Sequence, residues 1–187
     1  MLRLAERVLG FRSGDSLTRL LDELNGYYKD LSRVMPANQQ AAIREIARTA
    51  MNRVTASVGK SAGVTEDWLS GYLSRYYSDT AERLCGANLT QVERIVAGAD
   101  GDAVSALRSK LADWGEARAE VMARHEAAMA LNKTLVAGFK VAGYSAVWKA
   151  PPGSCKICLA LHDQTVTTLT PPLHKGCACT VDVGTKA

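Results

Sequence analysis

Four of the five cysteines lie between positions 155 and 179, and no other feature restricts the fold so tightly. They read Cys155-Lys156-Ile157-Cys158, then fifteen residues (159–173), then His174-Lys175-Gly176-Cys177-Ala178-Cys179. Two thiols three apart can turn around one ion, and a second set follows after an intervening loop. An odd number of cysteines, with no apolar secretory core at the N-terminus, disfavours a disulfide framework. In a reducing compartment clustered thiols hold a metal instead. Zinc takes four tetrahedral ligands from thiolate and imidazole, with Zn–S about 2.3 Å and Zn–N about 2.0–2.1 Å. Five candidates, Cys155, Cys158, His174, Cys177 and Cys179, compete for four places. Spacing alone does not choose between four thiolates and three thiolates with an imidazole. The left-over residue can sit just behind the ligands. A structural zinc is therefore the expected cofactor.

Other chemistries fit less well. The plain alternative is a set of reduced structural thiols. A thioredoxin-type pair lacks a flanking βαβ pattern. A zinc deaminase needs H-x-E upstream and a proline directly before CxxC. Here His125 is followed at once by Glu126, and Pro152 stands three residues before Cys155. An open catalytic zinc would need a general base. The nearest candidate, His162-Asp163, reads better as a polar turn. The chain is expected not to be an enzyme.

Proline placement follows the cysteines. Pro36 is the only proline before 151; Pro151, Pro152, Pro171 and Pro172 lie in the tail. Proline stops helices, so 37–150 is free to form long ones. Aromatic content is only 6%, and alanine dominates the apolar set, which favours close-packed helices over a thick β-sandwich. The expected fold is mainly α: a bundle of long helices over 1–150, then a small zinc-stapled, loop-rich module with short strands over 151–187. An apolar share of 47% against 22% charged excludes wholesale disorder. No apolar run approaches the roughly 18 residues of a membrane span, so no membrane contact is expected. The net charge of +4 permits nucleic-acid contact without demanding it.

Along the body, Leu17, Leu21, Leu24, Tyr28, Leu31 and Met35 form a heptad seam, long enough to serve as a face toward another subunit. Pro36 should end that helix. Ile43, Ile46, Ala47, Ala50, Val54 and Val58 mark one face of a second helix, fraying at Gly59 and Gly63. Thr65 caps a third, with Glu66 and Asp67 in its first turn; Gly86 should stop it. Thr90 and Glu93 make a capping box for a short helix ending near Gly98. Val104, Leu107, Leu111 and Trp114 form the next stripe, with a break at Gly115. A helix from 116 to about 140 then carries Val121, Met122, Met129, Leu135, Val136 and Phe139. Tyr144 to Trp148 alternates like a strand. Arg118, His125 and Asn132 stand one heptad apart; a partly exposed polar edge is the plain expectation, a buried contact to a partner or to the tail the sharper one. Tyr27, Tyr28, Tyr72, Tyr76 and Tyr77 read as core and rim residues rather than base-stacking platforms. Most of the tail's few apolar residues, Ile157, Leu159, Leu161, Val166, Leu169 and Leu173, should be consumed in covering the metal site and docking on helix 116–140.

Residues from about 118 to 182 resemble the C-terminal region of the phage Mu F-like minor head proteins, the phage head morphogenesis family. The resemblance is carried by Ala123-Arg124-His125-Glu126 on a long helix, then Ala130 and Asn132, Gly143 and Trp148, and finally Cys155, Cys158, Leu161, Pro172, His174, Cys177 and Cys179. The sequence departs from the family where Lys175 replaces a proline, Ala178 an arginine, and His162-Asp163-Gln164 an Asp-Gly turn. All the thiols and the histidine are kept.

The resemblance implies a virion protein, recruited in a few copies to the portal or inner capsid wall during head assembly in the bacterial cytoplasm. Its partners would be the portal protein or the major capsid protein, in an oligomeric setting, with nonspecific contact to packaged DNA. Some relatives carry toxin domains after the shared region; eight residues after Cys179 leave no room for one. The alternative class is a nucleic-acid-binding zinc module on a helical oligomerisation body, with Lys149, Lys156, Lys175 and Lys186 as phosphate contacts. Four scattered lysines, with no aromatic ring between Cys155 and Cys179, make a poor base-reading surface.

Overall fold

A computed structural model describes residues 19, 22–26, 29–30, 37–59, 64–99, 102–113 and 116–186, with backbone alone at 111–113 and 116–119. The protein is mainly helical. Helices α1 (Ala37–Val58), α2 (Glu66–Ala97), α3 (Ala103–Asp113) and α4 (Glu116–Val141) precede strand β1 (Tyr144–Lys149), a one-turn helix α5 (Lys156–Ala160) and strand β2 (Thr180–Lys186). No helix among the described residues is long and apolar enough to cross a membrane.

Two compact units divide the chain: Met1–Pro36 with Ser74–Ala117, and Ala37–Leu73 with Arg118–Ala187. The break in composition near 150 therefore does not coincide with a unit boundary. The reason is strand pairing. β1 lies before that break and β2 after it, and they form one antiparallel sheet with Trp148 opposite Val181 and Lys149 opposite Thr180. The cysteine-rich tail shares its unit with α1 and α4.

The first unit has a core of Leu24, Val92, Val96, Val104 and Leu107. Leu24 belongs to helical residues 22–26; Leu17, Leu21, Tyr28, Leu31, Met35 and Pro36 lie outside the described residues. One expectation is corrected here. α2 does not stop at Gly86, and no new helix starts at Thr90: the helix runs unbroken to Ala97. A mid-helix glycine costs only about 1 kcal/mol. Burying Val92 and Val96 on the same helix returns more, at about 1.5–3 kcal/mol for each fully buried side chain. The helix ends where Gly98 N–H meets the Arg94 carbonyl at 3.1 Å. Asp102 caps α3, taking the Ser105 N–H at 3.0 Å. Trp114, Gly115 and the side chains of Leu111 and Arg118 lie outside the description.

In the second unit, Ala47, Ala50 and Val54 form the buried face of α1, as their spacing requires. Thr65 caps α2, with its Oγ1 accepting the Trp68 N–H at 3.2 Å. Trp68 stacks on Tyr72 with ring centroids 5.4 Å apart; Tyr76, further along α2 in the first unit, is buried. The core joins Ala50 and Val54 to Leu135 and Phe139 of α4, Ala146 of β1 and Val181 of β2. Val121, expected on the buried stripe of α4, is exposed. α4 lies against α1 at Gly138, where an added Cβ would stand 2.9 Å from Val54 Cγ2. Gly138→Ala should therefore destabilise the protein by about 1–3 kcal/mol through overpacking. A urea midpoint lowered without a change in slope is the expected measurement; an unchanged midpoint would deny the close crossing.

β1 is flanked on both sides. Opposite β2, the segment 163–166 returns along it: Trp148 N–H to Gln164 O, Asp163 N–H to Trp148 O and Val166 N–H to Ala146 O, each 2.8 Å. Ala146 and Trp148 point inward, on alternate positions of the strand. Among the described residues, Asn132 is the buried polar side chain that ties α4 to the tail. Its Nδ2 donates to the Cys179 carbonyl at 3.2 Å, and its Oδ1 accepts the Val181 N–H at 3.1 Å and the Thr180 hydroxyl at 3.0 Å. This is the sharper of the two expectations for that position, and the exposed polar edge is corrected. His125, one heptad earlier, is half-buried.

Candidate metal centre

Two short arms bring the sulfurs together. The first begins with a turn in which Ser154 N–H reaches the Pro151 carbonyl at 3.2 Å. Cys155 then caps α5, and Cys158 faces inward from that single turn. In the second arm, Cys177 N–H closes on the His174 carbonyl at 3.1 Å. Gly176 turns this corner at φ +76°, a conformation open to glycine and costly for a residue with a Cβ. All five predicted residues line one cavity of about 300 Å³, walled by Pro151 and Pro152.

The ligand atoms form two overlapping triads. Cys155, Cys158 and His174 lie mutually within 4.8 Å, and so do Cys158, Cys177 and Cys179. Cys158 belongs to both, so the cluster as a whole can hold a metal ion. Contacts run from His174 Nε2 to Cys155 Sγ at 3.3 Å and to Cys158 Sγ at 3.5 Å, and from Cys158 Sγ to Cys177 Sγ at 3.7 Å. Cys179 Sγ, on the buried side, stands 3.9 Å from the Ser154 hydroxyl. All five cysteines are free thiols.

The imidazole is oriented for ligation. His174 Nδ1 lies 3.0 Å from the Lys175 carbonyl. A carbonyl only accepts, so Nδ1 carries the proton and Nε2 is the atom turned toward the thiols. This is how metal-binding histidines are commonly held. The Lys175 carbonyl, followed by the Cys155 thiol, raises the His174 pKa. The thiols respond to their positions. The backbone N–H of Cys158, then its thiol, brings exposed Cys155 down to about 7. Burial pushes Cys158 up, reinforced by the thiols of Cys179, Cys155 and Cys177. Burial opposes ionisation of Cys177 too, but backbone groups at Cys179 and Leu173, together with the thiols of Cys179 and Cys158, lower its pKa. A dication held by the cluster would offset the penalty on Cys158, because its charge would far exceed that of any neighbouring dipole.

The His162-Asp163 pair is structural. His162 Nδ1 accepts the Ala150 N–H at 3.0 Å, which leaves Nε2 protonated and 3.4 Å from Asp163 Oδ2. An imidazole so engaged has no lone pair to offer as a base. Lys149 pairs with Asp163 from the other side. That bond raises the Lys149 pKa and lowers that of Asp163. Asp163 adopts φ +61°, where the chain reverses into the 163–166 segment.

The tail's apolar residues are only partly used, which corrects another expectation. Leu161, Val166 and Leu173 pack around Trp148, Ala150, Cys158 and Cys179. Ile157, Leu159 and Leu169 remain exposed, Ile157 by 66%. A five-residue helix turns only one face inward, and Cys158 takes it.

No protein-family model matches the chain, and no curated protein or solved structure matches it. The site is therefore read from its own geometry. Asn132 was visible in the sequence as part of a heptad series; its hold on the tail was not, because the residues it grips lie 47 to 49 positions away.

Proposed function

We propose that the chain is a non-enzymatic structural protein whose tail is stapled by one zinc ion, held by Cys155, Cys158, His174 and Cys177. The observation that carries this reading is the position of Cys158, shared by both ligand triads. Thiolate with imidazole is a borderline-soft donor set suited to zinc. Around a zinc ion, tetrahedral ligand edges come to about 3.5–3.8 Å, given Zn–S and Zn–N bonds of about 2.3 and 2.0–2.1 Å. The contacts of 3.3, 3.5 and 3.7 Å fall close to that range. Cys179 completes the wall behind them, packed beside Trp148.

Elemental analysis of the reduced protein should find zinc equimolar with the chain. Cys177→Ala should lose it, while Cys179→Ala should keep it. Retention by Cys177→Ala with loss in Cys179→Ala would exchange the two roles, and metal-free wild-type protein with an ordered tail would end the zinc reading.

The biological setting we propose is phage head assembly, as a minor capsid protein at the portal or inner capsid wall. Its support is the resemblance over residues 118–182. The nucleic-acid alternative is weakened by Lys149, whose ammonium is committed to Asp163. The test is co-purification of the full, zinc-loaded chain with a phage portal protein from the same genome. Retention at physiological salt supports the assembly role. A sequence-specific DNA complex without portal retention would replace it with the nucleic-acid module.

A further inference from the structure

We infer that Asn132 is a positioning residue for the metal centre, one that couples metal affinity to helix α4. The inference rests on the cluster binding a metal ion.

The geometry begins at Trp148. This residue spends its N–H and carbonyl on Gln164 and Asp163. Its partner across the sheet is Val181. In an antiparallel ladder, residues facing each other without exchanging hydrogen bonds turn their N–H and carbonyl groups outward. Val181 therefore presents its N–H away from β1, and Asn132 takes it at 3.1 Å. The same carboxamide donates to the Cys179 carbonyl at 3.2 Å and accepts from the Thr180 hydroxyl at 3.0 Å. It thus replaces a neighbouring strand for the three residues that leave the metal site. Asn132 is 1% exposed, so breaking either half strands a buried polar group.

The consequence reaches the ligands. Cys177 lies two residues before the gripped peptide, on the arm that must meet Cys155 and Cys158 from the other. The first arm follows directly from β1 through Pro151. The second is fixed to the body by β2 and by the Asn132 carboxamide. Metal sites tolerate ligand displacements of only about 0.2 Å. Partners behind the ligands typically contribute 10–100-fold in affinity. Coupling of this kind is reciprocal, so metal binding must also stabilise the α4 segment around Asn132.

The test is a cobalt(II) titration of the full reduced chain, followed by zinc competition, in wild type, Asn132→Leu and Asn132→Asp. Wild type should take one cobalt with thiolate charge-transfer absorption. Asn132→Leu, which removes both halves of the contact, should bind about 10–100-fold more weakly. Asn132→Asp keeps the acceptor for Val181 and Thr180 but loses the donor to Cys179, and should fall between them. Leu107→Ala, in the core of the other unit, destabilises the protein without touching the site and should leave affinity unchanged. Zinc should slow amide exchange over 128–141 in wild type and not in Asn132→Leu. Wild type that binds no cobalt refutes the metal reading itself. Wild type that binds, with folded Asn132→Leu and Asn132→Asp binding equally well, overturns the positioning role. Should Asn132→Leu fail to fold, Asn132→Asp decides alone.

Discussion

Replacing Cys158 by alanine is expected to abolish metal binding and to open residues 151–187 to protease. The sulfur is shared by both ligand triads, so without it neither triad is complete and each keeps only two donors. It is also buried, so the partners left behind cannot recruit water in its place without opening the pocket. Structural zinc contributes on the order of 10–16 kcal/mol of apparent binding energy in zinc-finger peptides, which sets the upper scale of the loss. Part of the tail is also held by the sheet and by Asn132, so the damage should concentrate in α5 and the 167–178 loop. Elemental analysis and mass-mapped limited proteolysis measure both effects. Cys85→Ser is the contrast. Cys85 is half-buried beside the first unit's core, where burial raises its pKa, and its replacement should cost about 1 kcal/mol and no metal. Equimolar metal in Cys158→Ala would refute the ligand assignment.

Trp148→Ala should be the most destabilising substitution outside the ligands, at about 3–5 kcal/mol. Trp148 is 2% exposed and packs with Ala150, Cys158 and Cys179, so it supports two cysteines of the cluster from behind as well as the sheet. Trp148→Phe should cost much less than this. The indole N–H is buried with no acceptor among the described residues. Removing it relieves an unsatisfied donor, a gain of about 1–3 kcal/mol that offsets lost packing. Urea unfolding of the zinc-loaded protein separates the two variants. Equal losses in both would mean that the N–H is satisfied.

Local patterns carried much of this protein in readable form. The cap at Thr65, the buried face of α1 and the strand at 144–148 depend on neighbours within a few residues, and chain chemistry there specifies the conformation directly. The same holds for the five candidate ligands. Thiols and an imidazole at CxxC and HxxCxC spacing can converge through two tight turns, whatever surrounds them. Long-range packing settled the rest. Gly86 carries a stop signal by itself; burial of Val92 and Val96 overrides it. His162-Asp163 reads as a polar turn from sequence, but only the return of 163–166 along β1 brings the Ala150 N–H to the His162 lone pair. Asn132 is one polar residue on a long helix until β2 arrives beside it. The apparent break at 150 disappears once β1 and β2 pair across it. Cys158 stands apart from the other ligands for the same reason. Sequence spacing treats all five alike, whereas only the docking of one arm against the other makes a single sulfur common to both triads.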